Sequence, residues 1–182
     1  MSGMGECWKY ILKSSNHNSK LISLDFSSEM VKGAEKNKTK FKDSKIDILK
    51  ENVFKNSIEN DTADFIISGF GLKTFNNEQL SNLADEIYRF LKQNGKFSLI
   101  DVSVPENKFL KTLYMFYLKY INPILGKLFL GSPETYKMLG IYTEKFENAK
   151  TVYQIFDRPE FEIQYVKYFY GCATGVKGIK LK

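Results

Sequence analysis

Near the start of this 182-residue chain, Gly3-Met4-Gly5 is followed about twenty residues later by Asp25, at the end of the run Leu21-Ile22-Ser23-Leu24. Glycines let a backbone approach a bulky ligand, and a carboxylate at the next strand end can accept from both hydroxyls of a ribose. Residues of these types at this spacing suit a nucleotide site in an open α/β sheet. The plainer alternative is a tight strand-to-helix turn beside a surface aspartate. A dinucleotide fingerprint would place a third small residue where this chain has Trp8. A pyrophosphate is therefore not expected. A nucleoside ligand without phosphates fits better, and S-adenosylmethionine (SAM) is the first candidate.

Other reactive types are sparse. His17, the single histidine, lies in the polar stretch Ser14-Ser15-Asn16-His17-Asn18-Ser19, which reads as a loop before a strand and so at the sheet end away from ligands. Cys7 and Cys172 stand far apart without CxxC spacing, which gives neither a disulfide framework nor a zinc site. No metal is expected.

Alternating elements must position the glycine turn and its acid. Strands are expected at 21–25, 46–49, 64–68 and 96–102, the first followed by a helix that Ser27-Ser28-Glu29 begins and that runs to about Lys36. The clearest helix spans Glu78 to Leu91, with Leu80, Leu83, Ala84, Ile87, Phe90 and Leu91 at helical spacing, Asn76 and Gln79 as a capping box and Asn94-Gly95 as its C-cap. Two or three helices are expected between Asn107 and Phe156, and a terminal antiparallel hairpin from Phe161–Tyr170 and Ala173–Ile179. Strands alternating with helices imply parallel βαβ units, an α/β fold in one domain over residues 1–182.

Four segments then carry a family resemblance: Ser2-Gly3-Met4-Gly5-Glu6, Leu24-Asp25-Phe26-Ser27-Ser28-Glu29-Met30, Ile66-Ile67-Ser68-Gly69-Phe70-Gly71-Leu72 and Arg89-Phe90-Leu91-Lys92-Gln93-Asn94-Gly95-Lys96. Together they resemble a class I SAM-dependent methyltransferase, with a Rossmann-like sheet. Three more segments resemble the UbiE/COQ5 group, which C-methylates precursors of menaquinone and ubiquinone. Phe70-Gly71-Leu72-Lys73 is similar to its FGLRN segment, Glu134-Thr135-Tyr136-Lys137-Met138-Leu139 to its "SYRYL" helix, and Gly171-Cys172-Ala173-Thr174-Gly175-Val176 to its terminal glycine-containing strand.

The resemblance implies that Gly3 and Gly5 pass beneath the methionine end of SAM and that Asp25 holds the ribose. It also implies that Phe26 and Met30 flank the adenine, that Asn52 and Val53 line its edge, and that Ser68 and Phe70 lie beside the sulfonium. Phe70, Lys73 and Tyr136 are the substrate-binding candidates, and Lys73 the catalytic one. The family has Arg-Asn where this chain has Lys73-Thr74; lysine can steady a phenolate but cannot replace a bidentate arginine. A solvated loop lysine is the alternative at Lys73. The acceptor can equally be another small molecule, methylated at oxygen or carbon, or the chain an inactive methyltransferase-like fragment that only binds.

Composition narrows the partners. The net charge of +6 comes from lysines spread along the chain, with only two arginines, Arg89 and Arg158, unlike an arginine-rich nucleic-acid groove. No Asp/Asn-Pro-Pro-Tyr/Phe motif follows the Asp64–Ser68 run, so nucleic acid is not an expected substrate. The N-terminus lacks a signal peptide's basic and apolar regions. Residues 113–130 are too interrupted for a membrane span. A cytoplasmic protein is expected.

Aromatics, aliphatics and lysines alternate from Lys108 to Leu130. This segment suits packing on the sheet, a lid over an apolar ring, or peripheral contact with a membrane; a homodimer is left open as well. The glycine turn has no "VLDL"-like strand before it, although the resemblance implies a central first strand there. The expectation is a longer native product, with the sheet of this chain short of that strand.

Overall fold

Short aliphatic runs bounded by glycine, aspartate and asparagine become strands here, and the amphipathic stretches between them become helices. A computed structural model describes residues 1–16, 18–122, 124 and 133–181, without side chains for residues 133–137. His17 lies outside the described residues, as does the side chain of Tyr136. The chain forms two compact units, Met1–Glu59 and Asn60–Lys182.

In the first unit, α1 (Trp8–Ser14) precedes β1 (Lys20–Leu24), α2 (Ser28–Lys38) and β2 (Lys45–Leu49). The two strands pair in parallel, Lys20 against Lys45 through Leu24 against Leu49, so their C-terminal ends coincide. Ser27 caps α2 by accepting from the Met30 amide. Trp8, Ala34 and Ile46 form the core, with Leu12, Leu21, Phe41 and Ile48 around it.

The second unit holds β3 (Ala63–Gly69), α3 (Asn77–Phe90), β4 (Leu91–Val102) and α4 (Lys108–Phe116), which continues through a π turn at Tyr117–Ile121. It continues with α5 (Pro133–Phe146), α6 (Lys150–Phe156), β5 (Phe161–Tyr168) and β6 (Ala173–Lys180). The sheet order is β3-β4-β6-β5. β3 runs parallel to β4, and β6 lies antiparallel to both β4 and β5, which gives the expected closing hairpin. Phe97, Phe156 and Phe161 pack against one another in the core, with ring centroids 5.1–6.3 Å apart. Among the described residues no strand joins β1–β2 to the four-stranded sheet, and no helix is long and apolar enough to cross a membrane.

The main helix bears its expected capping box, Asn76 with Gln79, and buries the expected apolar stripe. Its end differs. Asn94-Gly95 is no C-cap: α3 stops at Phe90, Leu91 is already extended, and β4 begins there rather than at Lys96. The chain satisfies the last carbonyls from elsewhere. Asp61 and Thr62 amides donate to the carbonyls of Arg89 and Phe90, and the buried Lys180 ammonium donates to those of Tyr88 and Leu91.

Candidate active site

In the first unit the glycine turn and Asp25 meet directly. Gly3 and Gly5 adopt left-handed backbone, with φ of +60° and +84°. A Cβ on Gly5 would fall 2.5 Å from the Trp8 indole, so the ring that displaces the dinucleotide glycine also demands a glycine above it. The Gly3 amide donates to Asp25 Oδ2 (3.0 Å), and the Ser27 amide donates to Oδ1 (3.0 Å). Burial alone would raise the Asp25 pKa. The amides of Ser27 and Gly3 and the chain-terminal ammonium outweigh it and hold the carboxyl below its usual value. Oδ1 keeps an acceptor position for a ligand hydroxyl.

The remaining cofactor candidates of this unit collect at the same end of the strands. Phe26 follows Asp25 with its ring 72% exposed, and Met30 is half-buried in the first turn of α2. Asn52 makes a tight turn after β2, its Oδ1 accepting from the Phe54 amide, and the Val53 carbonyl accepts from Asn56. The sequence reasoning missed Asn37. From α2 its Nδ2 donates to the carbonyls of Met4 and Gly5, at 3.2 and 3.1 Å, and so braces the glycine turn. A polar residue in a polar helix carries no periodic signal that would single it out.

In the second unit Ser68, Phe70 and Lys73 gather where β3 ends. The Ser68 hydroxyl is buried and has no hydrogen-bond partner, and a Cβ on the adjacent Gly69 would meet nothing within 4 Å. A buried polar atom without a partner is a position that a ligand can satisfy. Phe70 has a left-handed φ of +66° while its amide donates to the Ile100 carbonyl (2.8 Å), which leaves the ring exposed.

Lys73 is no solvated loop lysine. Its side chain is 7% exposed, and Nζ donates to Asp101 Oδ1 (2.8 Å) and to the Phe70 carbonyl (2.6 Å). Asp101, at the end of β4, is fully buried and also accepts from the amides of Lys73 and Val102. It is a second residue that the sequence reasoning missed, since an acid inside an apolar strand looks like any polar interruption. Two of the three ammonium hydrogens are thus committed, and one remains.

Both units set their candidates at the C-terminal ends of parallel strands, where open α/β sheets bind ligands. In the first unit the spare acceptor on Asp25 fits a ribose hydroxyl such as that of SAM, and in the second the unpartnered Ser68 hydroxyl fits a polar ligand atom. Among the described residues no group of histidine, cysteine and acidic side chains is arranged to hold a metal ion.

Known proteins bear on this arrangement. The model of the ubiE/COQ5 methyltransferase family matches residues 1–180. A demethylmenaquinone methyltransferase of Alkalihalophilus pseudofirmus is 30% identical over 166 residues, 89% of this chain and 70% of that protein. One from Lactococcus lactis is 30% identical over 174 residues, 94% of this chain and 68% of that protein. Among solved structures, a SAM-dependent methyltransferase from Aquifex aeolicus is similar in fold, with a TM-score of 0.64 at 19% identity over 99% of this chain and 79% of that one. A putative S-adenosyl-L-methionine-dependent methyltransferase from Methanococcus maripaludis gives 0.63 at 23% identity over 100% of this chain and 75% of that one.

Proposed function

The chain belongs to the ubiE/COQ5 methyltransferase family and is a SAM-dependent methyltransferase; we propose that its acceptor is a small apolar aromatic of the quinone-precursor kind, methylated at carbon. The relatives are demethylmenaquinone methyltransferases, which supports this acceptor class. The buried, unpartnered Ser68 hydroxyl near the C-terminal end of β3 is the observation that supports the cofactor's place. In this reading both compact units work as one methyltransferase domain, and the protein acts in the cytoplasm.

When bound, SAM supplies a methyl group activated on a sulfonium. Gly3 and Gly5 let the backbone run beneath its methionine end, and Asp25 Oδ1 accepts from the ribose. Phe26 and Met30 flank the adenine, with Asn52 and Val53 along its edge. Ser68 and the Phe70 ring lie against the sulfonium, where a π face favours positive charge. Phe70 holds the acceptor ring and keeps water from it. An acceptor that enters as its phenolate, having given its proton to solvent, has a nucleophilic ring carbon, and the remaining N–H of Lys73 steadies that oxyanion. Asp101 and the Phe70 carbonyl aim that ammonium.

A second reading rests on the same lysine. An ammonium with one free hydrogen is a less demanding partner than a bidentate guanidinium, which suits another phenol methylated at oxygen or carbon. Labelled SAM with a demethylmenaquinol extract separates the two. Label in the ring methyl supports the first reading; label only in other phenols supports the second. Calorimetric titration with S-adenosylhomocysteine tests the cofactor directly, and absence of heat at millimolar ligand would leave only a binding role for the chain.

A further inference from the structure

Helix α4 turns its apolar residues outward. Phe109, Leu113, Phe116 and Tyr120 recur at i, i+4, i+7 and i+11, with Tyr117, Ile121 and Ile124 beside them, and all seven are exposed. A helix docked on its own sheet would hide such a stripe. This one instead buries Met115 and Leu118 and leaves the larger aromatic face in water. An exposed apolar run of this length marks an interaction surface.

A second feature stands next to it. The turn between β5 and β6 holds Phe169, Tyr170 and Gly171 at φ of +49°, +57° and +91°. Left-handed backbone is costly for bulky residues and is retained where the surrounding structure or a function requires it. Here it presents Phe169 and Tyr170 at 80% and 92% exposure. The turn abuts the start of α4. The Tyr114 hydroxyl donates to the Cys172 carbonyl (3.4 Å), and a Cβ on Gly171 would meet the Pro105 Cα at 3.6 Å.

The charge nearby has one sign. Residues 107–133 contain four lysines and no acid. Lys108 and Lys111 are exposed and enter none of the ion pairs among the described residues. The carboxylate next to them in sequence, Glu106, is shared between Lys150 and Lys167. Lys119 pairs with Glu144 of α5.

We propose that α4 and the Phe169–Tyr170 turn together form a docking surface for an anionic lipid bilayer. The aromatics enter the boundary between headgroups and acyl chains while Lys108 and Lys111 face lipid phosphates. An anionic bilayer accounts for all three observations: an outward apolar face, rings held out on strained backbone, and unopposed positive charge. The inference extends the methyl-transfer reading to the place where an apolar acceptor would be met. Flotation needs neither SAM nor acceptor, so either idea can fail without the other.

The test is flotation of the full chain with two kinds of vesicle, phosphatidylcholine alone and phosphatidylcholine with about one third phosphatidylglycerol. The chain should float with the anionic vesicles, less so as salt rises. Phe169→Ser/Tyr170→Ser should cut binding about tenfold, and so should Lys108→Glu/Lys111→Glu, with unchanged circular dichroism and melting temperature. Absence of flotation, or variants that float like the parent, would overturn the proposal. So would two other results. A parent dimer that the serine pair dissociates would assign the surface to a second copy. Loss of turnover on a short-chain, water-soluble acceptor in the lysine-to-glutamate pair without lipid would assign it to the substrate site.

Discussion

At the scale of single residues, Lys73 and Asp101 are where charge matters most. Removing one partner of a buried ion pair strands the other, which typically costs about 3 kcal/mol. Lys73→Met should therefore lower stability in urea by about that amount, because Asp101 is fully buried and keeps only the amides of Lys73 and Val102. Adding Asp101→Asn to that variant should restore about 1 kcal/mol, since an amide carries no charge to leave unpaired. No recovery would mean that packing, rather than charge, sets the cost. Asp25 gives a pH prediction. Its folded pKa lies below the ordinary value of 3.8, so its contribution to stability is complete above that pH and lost as pH falls through the lowered value. Stability should fall more steeply with acid below about pH 4 in the parent than in Asp25→Asn. Binding of S-adenosylhomocysteine to the parent should stay flat from pH 8 to about pH 5, where Asp25 remains ionised. A midpoint near neutrality would transfer the ligand contact to another group.

At the scale of elements, the parts that reveal themselves locally were legible and the parts settled by distant partners were not. The capping box of α3 and its stripe of Leu80, Leu83, Ala84, Ile87 and Phe90 depend on spacing within the helix, and the expected span needed only one residue of correction at each end. Its C-terminus looked local as well, with Asn94-Gly95 at hand. Yet it is made by Asp61, Thr62 and Lys180, the last far along the chain, and no helical pattern contains that information. The glycine turn and Asp25 were readable because their spacing follows from strand and turn lengths. Asn37 and Asp101 were not, because each acts by reaching a neighbouring element. The terminal strand shows why it carries glycine. A Cβ on Gly175 would lie inside the contact distance of the Leu99 carbonyl oxygen on the paired strand β4, and one on Gly178 would fall 2.7 Å from both the Phe97 ring and the Glu162 carbonyl oxygen. Gly175→Ala should thus force β4 and β6 apart and cost about 3 kcal/mol or more, as overpacking does at its upper end. A soluble variant with the parent's melting temperature would show that the strand can shift to accept the methyl.

For the whole molecule, the division into Met1–Glu59 and Asn60–Lys182 carries an energetic expectation. The first unit rests on a two-stranded sheet and three buried apolar side chains, Trp8, Ala34 and Ile46, and beside β1 the Leu24 carbonyl accepts from the Ser2 amide and the Met1 ammonium. A segment of about sixty residues buries a modest share of its surface and is marginal by itself. The second unit has four paired strands, a triad of packed phenylalanines and a helix stapled at its end by Lys180. Local opening should follow this difference. In native-state hydrogen exchange, amides of β1, β2 and α2 should open at distinctly lower free energy than those of β4 and β6. S-adenosylhomocysteine should then raise protection mainly in the first unit, because Gly3, Asp25 and Asn52 lie there and a ligand stabilises what it holds. That pattern would place the chain's weakest cooperative element under the control of its cofactor. Equal protection of both units without ligand would instead mean that they unfold as one, and added ligand would then raise all slowly exchanging amides together.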